Sequence, residues 1–160
     1  MIRDELQKAV VALQQKKINM QHNSFTMQFE FLTNFAKEQL EKHGEFYPFA
    51  SFIDFNDTLH PLAAYTGTEH PPSDEVVKEL EASILSLIKD GTIMAAAICV
   101  NGTVRSHNNE KQDAIVIEIE NSAGEAATVI VHYRRTSQGI QYDNPLIHQG
   151  QPKWFPQSSA

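Results

Sequence analysis

Three residue types suited to acid/base work fall within five positions in the stretch HGEFYPFA, where His43, Glu45 and Tyr47 surround a glycine. An imidazole beside a carboxylate can share a proton, and a phenol can extend the relay. On an extended chain, however, Glu45 and Tyr47 point the same way while His43 sits beyond Gly44 at the end of a helical pattern. A fold joint accounts for the same residues: His43 meets the helix dipole, Gly44 supplies a positive φ angle, and Glu45 opens the sheet. The joint is the expectation adopted for this stretch.

A second cluster, Asp54, Asp57, His60, Glu69 and His70, falls in a turn and the loop that follows it. If both lie at neighbouring sheet ends, two carboxylates and an imidazole could hold zinc or a harder cation. The chain has no HxH, no HExxH and no cysteine pair, so the spacing is nonspecific. Turn Asp and Asn side chains also stabilise turns without any ligand. Cys99 lies in the apolar run IMAAAICV, where a thiol behaves as a small hydrophobe. There is no GxSxG elbow, no GxGxxG and no GxxxxGK[ST], so neither a hydrolase nucleophile nor a nucleotide-phosphate loop is indicated. No cofactor is expected.

Composition narrows the partners. With 13 Lys and Arg against 20 Asp and Glu, the formal charge is −7, which disfavours a polyanion and so excludes nucleic acid as the expected partner. No long apolar stretch suggests a membrane span. A single cysteine rules out an intramolecular disulfide, and the charged start MIRDELQKAVVALQQKK has no signal-like apolar run, so a cytoplasmic location is expected. At 160 residues the chain can bury a full core without metal or disulfide.

The elements that must position these residues follow from periodicity. Ile2, Leu6, Val10 and Leu13 describe one face of a helix to about residue 17, and residues 1–23 are expected to form an N-terminal helical arm. Ser24 is a candidate cap for a second helix carrying Phe25, Phe29, Leu32, Phe35, Ala36 and Leu40 on its apolar stripe, with Gly44 ending it. Residues 45–55 and 59–66 read as two strands, the second placed at an edge by Pro61. Ser73 is then expected to cap a third helix with Val77, Leu80, Ile84, Leu87 and Ile88 inward and Gly91 at its end. A central strand follows at residues 93–100, and Asn101-Gly102 either turns the chain or prolongs that strand through a bulge. Residues 113–120 and 126–134 alternate cleanly and predict a hairpin with Ile115, Ile117, Ile119, Val129, Val131 and Tyr133 on one face. A further short strand is expected at residues 140–142.

This order, ααββαβββ, predicts a single α+β domain over residues 24–160: a two-layer, mainly antiparallel sheet of about five strands with helices on one face. From residue 24 onward the order resembles the profilin-like folds, including the roadblock and longin types, and that resemblance implies architecture alone. The blocks HGEFYPFASFID, GTEHPPSDEVVKELEASILSLIKDGTIMAAAICVNGTVR and KQDAIVIEIENSAGEAATVIVHYRRT resemble a family of small uncharacterised bacterial proteins over roughly residues 25–155. The resemblance implies a bacterial, cytoplasmic source and transfers no catalytic residue.

The hairpin's other face carries Ala114, Val116, Glu118 and Glu120 opposite Thr128, Ile130, His132 and Arg134. A purely solvated face would be more polar, so Val116, Glu118, Ile130, His132 and Arg134 are candidate partner-binding residues, unless a helix or the tail Trp154-Phe155 covers them. The expected function is a non-enzymatic protein-interaction module that binds another protein or itself as a homodimer, in its sharper form an acidic immunity-type protein that blocks a basic toxin site. The alternative is a small enzyme or metal-binding protein using the Asp54, Asp57, His60, Glu69, His70 cluster.

Overall fold

The computed structural model describes residues 22–64, 67, 69–105 and 108–156. The expected N-terminal arm, up to residue 21, lies outside the described residues. The first described element is a helix, α1 (His22–His43). Its apolar positions Phe25, Phe29, Leu32, Ala36 and Leu40 recur every three or four residues and are all buried, so they form a single inward stripe. Ser24 is inside this helix rather than at its cap. Gly44 stops it with φ 78° and donates its N–H to the Leu40 carbonyl at 2.9 Å, as a C-terminal glycine should.

The chain then runs through β1 (Phe49–Asp54) and β2 (Leu59–Leu62) into a second helix, α2 (Ser73–Lys89). Residues 45–48 are not paired into the sheet, because Phe46 and Phe49 both turn to the same core and touch edge to face, with ring centroids 5.7 Å apart. Pro72, not Ser73, occupies the cap of α2, and its carbonyl accepts from the Glu75 and Val76 amides. Proline suits this place because it lacks the N–H that a helix start would leave unsatisfied. Val76, Leu80 and Ile84 form the buried stripe, one residue out of step with the expected Val77.

Five strands complete the chain: β3 (Ile93–Arg105), β4 (Lys111–Asn121), β5 (Ala126–Thr136), β6 (Gly139–Tyr142) and β7 (Leu146–Gln149). β3 continues straight through Asn101-Gly102, so that dipeptide makes no turn. The strand pairs with β4 from Ala95 opposite Asn121 to Arg105 opposite Lys111. The sheet is antiparallel in the order β2-β1-β3-β4-β5-β6, with β7 also pairing β5. β6 takes residues 133–136 of β5 and β7 takes residues 127–130, so two short strands share one outer edge.

The domain is α+β with a mainly antiparallel sheet, as the pattern predicts, but the sheet has seven strands rather than about five. The expectation of helices on one face is also corrected. α1 packs on the side of Ala97, Cys99, Ile115, Ile117, Val129 and Val131, whereas α2 packs on the side of Ala50, Ala96 and Ile98. The reason is β3, which alternates Ala and Ile with Ala and Cys and is apolar on both faces, so both need cover. Among the described residues no helix is long and apolar enough to cross a membrane.

A substitution at the joint separates its two residues. Gly44→Val places a β-branched side chain at φ 78°, a strain of about 1–2 kcal/mol that lowers Tm by about 2–8 °C in a chain of this size. His43 is exposed, so His43→Ala should leave Tm within about 1–2 °C of wild type; differential scanning fluorimetry of both variants checks the pair.

Candidate functional site

The five candidate metal ligands fall in two separate places. Asp54 and His60 face each other across the β1–β2 turn, with His60 Nε2 2.8 Å from Asp54 Oδ2. Asp54 Oδ1 also accepts the Asn56 and Thr58 amides at 2.8 and 3.1 Å. The His60 hydrogen bond, seconded by the Thr58 amide, holds the Asp54 carboxyl below the usual range. Asp57 takes φ 61° at the turn and contributes its conformation rather than a third ligand. These residues fasten a hairpin.

Glu69 and His70 belong instead to a cleft of about 560 Å³ that is also lined by His43, Glu45, Tyr47, Phe35 and Pro48. There the Tyr47 hydroxyl lies 2.7 Å from His70 Nδ1, so HGEFYPFA supplies one wall and the loop before α2 supplies the other. Nothing in the sequence spacing pairs Tyr47 with a histidine 23 positions later. The dyad can pass a proton but is exposed to water, which weakens its value as acid/base equipment. Among the described residues no group of three or more His, Cys, Asp or Glu is arranged to hold a metal ion. Cys99 is fully buried, and burial pushes its thiol well up, away from the nucleophilic thiolate.

The candidate partner residues lie on the sheet face that α2 covers only in part. Strand register aligns Val100 with Val116, Val116 with Ile130, and Ile130 with Leu146. These four aliphatic side chains form one row across β3, β4, β5 and β7, on the side of the sheet opposite α1. Val100, Val116 and Ile130 are half-buried and Leu146 is 47% exposed. Of the other candidates, Glu118 is partly exposed and ion-paired with Lys153, Arg134 is exposed, and His132 is buried at 6% exposure.

No family model, curated protein or solved structure matches the chain. The bacterial-family resemblance therefore gains no support from these comparisons, and the site must be read from its own geometry.

One boundary of the open row is the segment Lys153–Phe155, which crosses the sheet as a strap. Glu120, only 2% exposed, receives the backbone amides of Lys153, Trp154 and Phe155 at 2.7–3.1 Å. Trp154 Nε1 donates to Glu81 of α2 at 2.9 Å, and Trp154 and Phe155 join the α2 core. The strap thus covers the Glu120 end and stops short of Val116 and Ile130. Sequence reasoning placed Glu120 on this face but could not tell it from Glu118, which has the same parity and type. Only the position of the tail distinguishes them.

Replacing Glu120 by Ala removes the acceptor for three amides and should release the strap. The expected result is a red shift of the emission of Trp154, the chain's one tryptophan, with a loss of about 2–4 kcal/mol in denaturant unfolding. Fluorescence-monitored urea titration reads both.

Proposed function

We propose that this chain is a non-enzymatic protein-interaction module that docks another protein, or a second copy of itself, on the uncovered half of its sheet. The observation that carries this reading is the aliphatic row that starts at Val100, where it packs against the α2 core, and continues through Val116, Ile130 and Leu146, which belong to neither core and stay half-open or exposed on hydrogen-bonded strands. A rigid sheet presents such a row with little ordering cost, and an apolar centre with a charged surround is the anatomy of a docking site. Glu118, Lys153 and Arg134 supply that surround.

The immunity-type form of this reading rests on small size and overall acidity. The open face itself is bordered by Arg134 as well as Glu118, so a basic toxin surface would have to meet acidic residues elsewhere on the chain. A cytoplasmic setting suits the single buried thiol. The rival enzyme or metal-binding reading has weaker support, because Asp54 and His60 fasten a turn while Glu69 and His70 line a different cleft.

Ile130→Asp tests the module. The side chain is half-buried and not part of either core, so the variant should keep its Tm within about 2–4 °C of wild type while losing at least tenfold in association. Sedimentation velocity reads self-association, and affinity capture from the native host reads a foreign partner. A wild type that stays monomeric and captures nothing, or a variant that associates equally well, would sink the proposal.

A further inference from the structure

A cleft of about 670 Å³ adjoins the apolar row, between the far ends of β3, β4 and β5 and the β6–β7 connection. Its lining includes Arg105, Lys111, Arg134, His132, Asp143 and Leu146. Three fixed cations meet two carboxylates there, Glu110 and Asp143, in a chain whose totals run 13 to 20 the other way. Local charge is therefore reversed against the chain as a whole. Asp143 neutralises Arg134 weakly, at 4.0 Å, and both side chains keep substantial exposure.

The second observation is independent of charge. His132 lies in the wall of this cleft at 6% exposure, and its Nε2 has no hydrogen-bond partner. Buried side-chain nitrogens are nearly always paired, so an orphan beside a cleft marks a place where a ligand oxygen is wanted. The strands explain why the room exists. The positions across from His132 are Ala114 and, beyond it, Gly102, so two strands present almost no side chain beside the imidazole.

We propose that this cleft binds a carboxylate, supplied by an acidic residue of the protein segment that docks on the row Val116, Ile130 and Leu146. The inference rests on the docking reading and adds the partner's chemistry: an acidic side chain next to aliphatic ones. The Arg134 guanidinium offers a planar fork to the carboxylate, Lys111 and Arg105 add charge, and the His132 ring turns outward to donate Nε2–H to one oxygen. Leu146 belongs to both the row and the cleft, which fixes the two subsites as neighbours.

The test uses the full chain, labelled with nitrogen-15, and two probes at constant ionic strength with chloride as the control. Acetate should shift the His132 ring nitrogens along a saturating curve in the millimolar range, and Arg134→Gln, at an exposed position, should weaken that binding several-fold. A short peptide with one aspartate beside two leucines should bind about tenfold tighter than acetate, and Ile130→Ser, which shortens the apolar row without adding a charge beside the cleft, should abolish that gain. Saturable acetate binding with no gain for the peptide would overturn the protein source and leave a site for small free anions. A linear acetate response equal to that of chloride would overturn the carboxylate site itself, whereas the association of Ile130→Asp decides the docking reading separately.

Discussion

The structure depends on one constraint, the burial of β3 on both of its faces. Ala97 and Cys99 face α1, while Ala96 and Ile98 face α2, and small side chains let both helices approach the strand closely. Cover on both sides needs chain from both ends of the sequence, so α1 comes from before the sheet, and α2 is joined by Trp154 and Phe155 from after it. On the α1 side the supply is ample: five buried positions of one helix reach across β1, β3, β4 and β5. On the other side a shorter helix and a short strap cover β1, β3 and the Glu120 end of β4. The uncovered remainder is the candidate docking face.

Two glutamates of β4 show how position alone divides similar residues between folding and surface roles. Glu118 and Glu120 point to the same face two residues apart. Glu120 lies under the strap, is shielded from water, and satisfies three consecutive backbone amides that would otherwise be buried without acceptors. Glu118 stays partly exposed and pairs with Lys153, an interaction that water and salt weaken. The same strap residue, Lys153, thus offers its amide to one glutamate and its ammonium to the other.

Much of this architecture was legible in the sequence because it is written in local periodicity. The stripe of Phe25, Phe29, Leu32, Ala36 and Leu40, the positive φ of Gly44 and the alternation of Ile115, Ile117 and Ile119 against Val129 and Val131 are all short-range signals. What stayed hidden needs knowledge of which distant segments meet. Helices on opposite faces follow from the double burial of β3, yet an apolar run looks the same whether one or two helices cover it. β7 has four residues and one buried side chain, Ile147, too little alternation to announce a strand. The cluster from Asp54 to His70 looked like one site because its members are near in sequence, whereas α2 and the β1–β2 turn send its two halves apart. His132 is legible only as one member of the hairpin's mixed face, since its burial and unpaired nitrogen depend on Ala114 on the adjacent strand and Gly102 on the strand beyond.

The sheet's two edges limit how anything can be recognised. At one edge β2 is only four residues long and carries Pro61, which has no amide to donate. At the other, β5 is capped by β6 and β7, each of four residues, with Pro145 in the break between them. Neither edge offers an incoming strand a long, regular run of free backbone groups, so lengthening the sheet by main-chain pairing is disfavoured, both for aggregation and for peptide capture. What the sheet presents outward is therefore side chains on its faces, which differ from protein to protein in shape and charge, rather than a backbone pattern common to all sequences.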